Sequence, residues 1–261
     1  MLTEETLASG MRVWTAQPDT TEKRPALLLL HERYGPVEHS FNIVEKMAKE
    51  GFVVAVNDLF HRYRGDRGAI ERAEARLDPT DDEALVDMDE TLAYLRTLPY
   101  VDGDNIGMAG FCLSGRMPML YAAARDDVAG IAVVHGGAYP RDFDGSTEGQ
   151  VSVSGLIPRI GCPVLGAFGE FDRLVPLGHV HRFRNELEEA GKSFKILVFA
   201  GAAHGWMNTT TPEAFHQEAT DAAWGTMVGF FTSVFAGEWP ANRIVSRFES
   251  DVTPHGPQPK P

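Results

Sequence analysis

The sequence has little cysteine, no long apolar segment and no excess of basic residues. Cys112 and Cys162 are the only cysteines in 261 residues, which excludes a disulfide framework and a cysteine-cluster metal site. The longest apolar run, Pro25–Leu30, is far too short to cross a bilayer. The N-terminus also lacks a basic region followed by an apolar one, as a secretory signal would require. We therefore predict a cytoplasmic protein without membrane contacts.

Charge and composition further limit the class of protein and the partners it can bind. The formal net charge is −13, and the lysines and arginines are scattered, so nucleic acid is not an expected partner. An apolar content of 43% and a charged content of 23% are typical of a globular protein. A chain of this length can form one large domain, which we place at residues 1–238, followed by a C-terminal extension at residues 239–261.

Short apolar runs bounded by turn residues alternate with helix-like stretches along the chain. This alternation predicts an α/β fold with a mostly parallel central sheet and helices on both faces, whose functional groups collect at the carboxyl ends of the strands. The predicted strands are Ala26–Leu30, Phe52–Val56, Asn105–Gly110, Gly130–Val134, Val164–Phe168 and Phe194–Phe199. The predicted helices are Val37–Glu50, Asp81–Leu98, Leu113–Arg125, Leu177–Ala190 and Pro212–Phe235.

Two segments do not fit the alternation. Arg62–Pro79 is rich in charge and glycine, and Gly136–Pro158 is rich in glycine, serine and aspartate. We expect both to be loops over the site, because connecting segments carry function in such folds. The second is too short and polar to be a large lid domain.

The residues around Cys112 have the pattern of a nucleophile elbow. An apolar strand runs into a turn framed by Gly110 and Gly115, and a helix follows from near Leu113. Small residues are needed there because the tight turn pushes the nucleophile into the cleft while the backbone packs beneath it. The helix start favours a thiolate at Cys112, and the N–H of Leu113 becomes a candidate oxyanion donor.

Two more candidate catalytic residues lie just after later strands. Asp172 lies just beyond a strand that ends at Gly169, and His204 lies in a small-residue loop after the strand Phe194–Phe199. The order nucleophile, acid, histidine is that of the α/β-hydrolases. We therefore predict an α/β-hydrolase fold with a triad of Cys112, His204 and Asp172, and we interpret Cys162 as a packing residue.

At these residues the sequence resembles the dienelactone hydrolase family, α/β-hydrolases with a Cys-His-Asp triad. The resemblance covers most of the chain. It rests on five motifs in family order: Leu30–Gly35, Asn57–Phe60, Gly110–Gly115, Gly169–Asp172 and Gly201–Gly205.

The resemblance implies roles for residues outside the triad. In the family, a glutamate at the position of Glu32 holds the resting thiol and is displaced when substrate binds. A carboxylate beside a thiol disfavours the thiolate, so such a gate is physically reasonable. The N–H of Arg33 would be the second oxyanion donor. By position, Arg62 resembles the family arginine that binds a substrate carboxylate.

The sequence departs from the family pattern in three places. Ser114 replaces a usual glycine, and Arg116 occupies the first turn of the helix, where it would pair with an acidic substrate or a nearby carboxylate. After His204, the dienelactone hydrolases carry a serine and then an arginine that help bind a carboxylate, whereas here Gly205, Trp206, Met207 and Asn208 follow. We expect Trp206 and Tyr34 either to shape an apolar acyl pocket or to serve as packing.

The sequence therefore predicts a hydrolase that cleaves an ester or lactone of a small molecule through a thioester acyl-enzyme. No metal or organic cofactor is expected, and the assembly would be a monomer or a small homo-oligomer. A carboxylesterase, a thioesterase and a non-catalytic ligand-binding module on the same scaffold are the alternatives. A ligand-binding module would show no multiple turnover of an ester, and this distinguishes it from the enzymes.

Overall fold

The computed structural model describes residues 2–144 and 149–252. The strands are β1 (Thr3–Thr6), β2 (Arg12–Ala16), β3 (Arg24–Leu30), β4 (Val53–Asn57), β5 (Val101–Phe111), β6 (Gly130–Val134), β7 (Val164–Gly169), β8 (Phe194–Phe199) and β9 (Ser246–Ser250). The helices are α1 (Glu38–Lys49), α2 (Arg67–Glu71), α3 (Asp81–Thr97), α4 (Met117–Ala124), α5 (Pro140–Asp144), α6 (Val153–Leu156), α7 (Leu177–Glu189) and α8 (Gln217–Phe235). Each predicted strand and helix falls on one of these elements.

The strands of the described residues form one sheet in the order β1-β2-β4-β3-β5-β6-β7-β8-β9. The pairings of β2 with β1 and with β4 are antiparallel, and all the others are parallel. The predicted mostly parallel sheet is therefore confirmed. Its parallel strands end at one edge, because Leu30 pairs with Gly110 and Phe111 pairs with Val134.

Side chains of β3 alternate between two apolar layers. Leu28 and Leu30 belong to the layer that contains Met88 of α3, whereas Leu27 and Leu29 belong to the layer that contains Phe231 of α8. Strands buried on both faces contain continuous apolar residues, as the sequence of β3 does. Helices therefore cover both faces of the sheet, as predicted.

The two segments predicted as loops contain short helices. Helix α2 lies within Arg62–Pro79, and α5 and α6 lie within Gly136–Pro158. Residues 145–148 of the second segment lie outside the described residues. None of the helices in the part of the chain described is both long and apolar enough to span a membrane.

Residues 239–252 of the predicted C-terminal extension include β9, which pairs in parallel with β8 at one edge of the sheet. The strands β1, β2 and β9 were not predicted. The residues of β1 are all exposed, and β9 is exposed apart from half-buried Phe248, so neither has the apolar run that marks an interior strand. Residues 253–261 of the extension lie outside the described residues.

Arg116, predicted to pair with an acidic substrate or with a nearby carboxylate, forms a buried ion pair within the protein. Both of its terminal nitrogens bond to the carboxylate of Asp81 at the start of α3, and the guanidinium also donates to the carbonyl oxygen of Val151. Asp81 in turn accepts from the N–H of Val151 at 2.7 Å. The cation in the turn after Cys112 is therefore neutralised within the protein, and of its two predicted partners the nearby carboxylate is the one that the structure shows.

We expect Arg116→Met to destabilise the fold by about 3–5 kcal/mol, because it leaves the carboxylate of Asp81 buried without a counter-charge. The free energy of unfolding in urea measures this loss. Arg125→Met is the matched control, since it removes an exposed pair with Asp89 and should cost less than about 1 kcal/mol. Equal losses in the two variants would contradict this account.

Candidate active site

The nucleophile elbow begins at the last residue of β5. Cys112 has φ of 51°, in the left-handed region, and opens a 3-10 turn, Cys112–Arg116, that continues into α4. A Cβ at Gly110 would collide with the carbonyl of Ser114, and one at Gly115 would lie 2.6 Å from backbone atoms of Gly136 and Gly137. The space that Gly110 and Gly115 were predicted to provide is therefore required.

Ser114, which replaces a usual family glycine, fastens this turn to the neighbouring strand. Its hydroxyl donates to the carbonyl oxygen of Leu30 at 2.8 Å and accepts from the N–H of Phe111 at 3.0 Å. The side chain is fully buried, and each of these bonds satisfies a backbone group near the end of a strand. The departure from the family pattern therefore adds a contact between β3 and the elbow.

The three predicted triad residues lie in one hydrogen-bonded row. The Sγ of Cys112 is 3.0 Å from Nε2 of His204, and Nδ1 of His204 is 2.8 Å from Oδ2 of Asp172. The other carboxylate oxygen of Asp172 accepts from the N–H groups of Leu174 and Val175, each at 2.9 Å. These two bonds fix the carboxylate, which in turn orients the imidazole.

The environment of His204 favours its charged form. Burial lowers the pKa of His204, but the bond to Asp172 and the contacts with Cys112 outweigh it and raise the pKa to about 10. Next to a thiol, an imidazole of this kind can hold a thiolate as an ion pair. The sequence had not indicated Tyr139, whose hydroxyl donates to the Sγ of Cys112 at 3.6 Å.

Glu32 is buried, with one carboxylate oxygen hydrogen-bonded and the other close to a histidine ring. Asn208 donates to Oε2 at 2.8 Å, and Nε2 of His135 lies 3.5 Å from Oε1. Burial raises the pKa of Glu32 to about 7, against the opposing effects of Asn208 and His204. The group can therefore change its charge near neutral pH. The role of Glu32 as a gate for the thiol stays a prediction.

His135 directly follows β6 and was not singled out from the sequence. Its backbone is left-handed, with φ of 37°, and its ring is fully buried edge-on against His204 at 5.3 Å between centroids. Burial lowers its pKa well below the usual value, so the ring is neutral. Its position one residue after a parallel strand, at the same sheet edge, is the signal that could have found it.

A cavity of about 580 Å³ opens above the triad. Its lining includes Tyr34, for which a substrate contact was predicted, and Arg33 and Leu113, whose N–H groups stay predicted oxyanion donors. The two segments predicted to cover the site contribute as well, Arg76 from the first and Tyr139 to Arg141 from the second. The remaining lining residues are Glu32, Cys112, Arg173, Leu174, His204, Gly205, Asn208, Thr211, Glu213 and Ala214.

Arg62 does not contribute to this cavity, contrary to prediction. It forms a two-pronged ion pair with the buried carboxylate of Asp87 in α3, with N–O distances of 2.6 and 2.7 Å. Because a buried carboxylate attracts a cation within reach, Arg62 pairs with Asp87 and does not extend into the cleft. Arg76, Arg141 and Arg173 supply positive charge at the cavity instead, although Arg76 and Arg141 both contact Asp78.

Of the two roles predicted for Trp206, an acyl pocket or packing, the structure shows packing. This side chain is fully buried and packs against Phe199 and His135, at 5.1 and 5.9 Å between ring centroids. Trp206 lies two residues after His204, and its side chain is inside the protein and not at the cavity. Cys162, interpreted as packing, is half-buried, and burial raises its pKa to about 12.

Within residues 2–144 and 149–252, one group of side chains could hold a metal ion. Its members are Cys112, His135 and His204, whose ligand atoms lie within 4.8 Å of one another. Thiolate and imidazole are ligands suited to zinc. Two of the three belong to the predicted triad, so metal and catalysis would compete for the same atoms.

This chain is similar to known proteins in both sequence and fold. The "Putative carboxymethylenebutenolidase" of Synechocystis sp. is 26% identical over 218 residues, which cover 81% of this chain and 87% of that protein. The protein of the same name from Yersinia pestis is 26% identical over 225 residues, covering 84% of this chain and 82% of its own length.

Among solved structures, the "Putative Dienelactone Hydrolase" of Klebsiella pneumoniae superposes with a TM-score of 0.79 at 22% identity, over 89% of this chain and 98% of that one. At this identity the likeness shows the fold alone, which is the predicted α/β-hydrolase fold. The sequence model of the dienelactone hydrolase family matches residues 11–235, most of the chain. The chain therefore belongs to the dienelactone hydrolase family.

Proposed function

We propose that this protein hydrolyses an ester or lactone bond of a small molecule, with Cys112 as nucleophile, His204 as general base and acid, and Asp172 as the orienting carboxylate. The row from Sγ through the imidazole to the carboxylate, with distances of 3.0 and 2.8 Å, is the observation that carries the proposal. Family membership supports the reaction class. The carboxymethylenebutenolidase names of the two relatives support a lactone as substrate.

The first half-reaction forms a thioester. The thiolate of Cys112 attacks the carbonyl carbon, a C–S bond forms, and the carbonyl electron pair moves to oxygen. The N–H groups of Leu113 and Arg33 hold this oxyanion. When the C–O bond breaks, the imidazolium of His204 gives its proton to the leaving oxygen, which in a lactone stays tethered to the acyl group.

The second half-reaction releases the acid. Neutral His204 takes a proton from water, the resulting hydroxide attacks the thioester, and the thiolate leaves. Asp172 stabilises the imidazolium in both steps, because its carboxylate stays bonded to Nδ1. Tyr139 can donate a hydrogen bond to the sulfur each time the thiolate is released, and burial raises the pKa of this phenol, so it keeps its own proton.

Replacing Cys112 by alanine is expected to lower kcat by roughly 10⁴-fold or more, because the nucleophile is lost while the oxyanion hole and binding residues remain. The assay is hydrolysis of cis- and trans-dienelactone and of p-nitrophenyl acetate and butyrate. Cys162→Ala is the matched control, because that thiol does not line the cavity, and it should retain turnover.

Full activity of Cys112→Ala, with an unchanged thermal melting temperature, would refute the proposed nucleophile. Turnover of lactones that disappears in this variant would place the protein with lactone hydrolases. Turnover of aryl esters alone would indicate a general carboxylesterase. One equivalent of product without further release would favour a ligand-binding module.

The pH dependence of kcat/KM is expected to show an inflection near the Glu32 pKa of about 7. Asn208→Ala should move this inflection to higher pH, because the lost hydrogen bond stabilises the carboxylate, and Glu32→Gln should remove it. The deprotonation of His204 should appear separately, at about pH 10. An inflection near neutral pH that survives in Glu32→Gln would show that another group titrates there.

A further inference from the structure

His31 lies directly after β3, and its ring is bonded at both nitrogens. Nδ1 lies 2.7 Å from the carbonyl oxygen of Glu32, and Nε2 lies 3.2 Å from the backbone nitrogen of Leu59. The side chain is buried, with its ring edge-on to Phe60. It is not part of the cavity lining, so any effect on catalysis would act through the backbone.

These contacts fix the tautomer of the ring. The N–H of Leu59 can only donate, so Nε2 of His31 must accept, and the proton of the neutral ring is carried by Nδ1. Nδ1 therefore donates to the carbonyl oxygen of Glu32. Burial lowers the pKa of His31 to about 4, so the ring keeps this neutral form at ordinary pH.

The carbonyl that His31 holds belongs to the peptide whose nitrogen is that of Arg33. This peptide is trans, so its C=O and N–H point in opposite directions. A second donor, the N–H of Gly35, reaches the same carbonyl oxygen at 3.2 Å across a turn in which Gly35 has φ of 85°. With its oxygen held on the His31 side, the peptide directs the Arg33 N–H to the other side, and Arg33 lines the cavity.

We propose that His31 is a positioning residue that sets the Glu32–Arg33 peptide so that its N–H, and not its carbonyl oxygen, faces the developing oxyanion. The inference rests on the proposed function, because it assigns a purpose to one of the two oxyanion donors. A rotation of this peptide would replace the donor with a carbonyl oxygen, which would repel the negative charge of the intermediate. The bond from His31 opposes that rotation.

A test must separate the oxyanion hole from the reactivity of the thiol. A small trifluoromethyl ketone does this, because the thiolate adds to its carbonyl carbon and the electron pair moves to an oxygen that needs the hole. Iodoacetamide forms a C–S bond with loss of iodide and builds no oxyanion. The ratio between ketone affinity and alkylation rate therefore reports the hole alone.

We expect His31→Phe to weaken ketone binding and lower kcat by roughly 100-fold, the scale of losing one oxyanion donor. Its KM and alkylation rate should change by less than about threefold, since transition-state contacts alone are lost. His31→Asn should recover about tenfold or more of the ketone affinity, because its amide N–H can replace Nδ1 as the donor to Glu32. His39→Phe is the matched control, because His39 is a buried histidine on α1 whose Nε2 has no hydrogen-bond partner, and it should leave both probes unchanged.

Three results would overturn the inference: equal losses with both probes in His31→Phe, an equal loss in His39→Phe, or no recovery in His31→Asn. If His31→Phe does not fold, as judged by thermal melting, His31→Gln replaces it, because its longer side chain cannot donate from the Nδ1 position. His31→Asn must then bind the ketone more tightly than His31→Gln. A wild-type protein that is alkylated but does not bind the ketone would refute the proposed function itself.

Discussion

The close packing of backbone around Cys112 is the constraint on which the site depends. The left-handed turn at Cys112 is possible because Gly110, Gly115 and Gly136 leave room for main chain where a side chain would collide. The carbonyl oxygen of Cys112 packs against Gly136, which lies two residues after β6. The turn at Cys112 is therefore packed against the chain that follows the neighbouring strand. Placing one side chain in a cleft in this way therefore requires small residues on two segments, the elbow itself and the residues after β6, and the parallel sheet brings those segments together.

Much of this architecture could be predicted from the sequence because the interior strands are apolar throughout. Burial on both faces gives β3, β4 and β6 a continuous apolar pattern that polar edge strands such as β1 do not have. Cys112, Asp172 and His204 were predictable for the same reason, since each lies within five residues of the end of an interior strand. Their juxtaposition follows from the sheet and needs no knowledge of the long loops.

Long side chains were less predictable, because several partners lie within reach of each. Arg62 and Arg116 lie near the cleft in sequence, yet each pairs with a carboxylate of α3, Asp87 or Asp81. A buried carboxylate without a counter-ion is costly, so it attracts whichever arginine can reach it. Asn208 and Tyr139 contact the site only because of how their loops fold, and no period or spacing in the sequence marks them.

The hydroxyl of Ser114 has a mechanical consequence. It joins the turn that presents Cys112 to the carbonyl of Leu30, and His31 and the peptide of Glu32 and Arg33 follow immediately along the chain. This hydrogen bond thus links the chain segment of Cys112 and Leu113 to the one that leads into Arg33, so the proposed nucleophile and the two proposed oxyanion donors lie on directly joined segments. We therefore expect the distances from the sulfur of Cys112 to these two N–H groups to vary less than they would without the Ser114 hydroxyl.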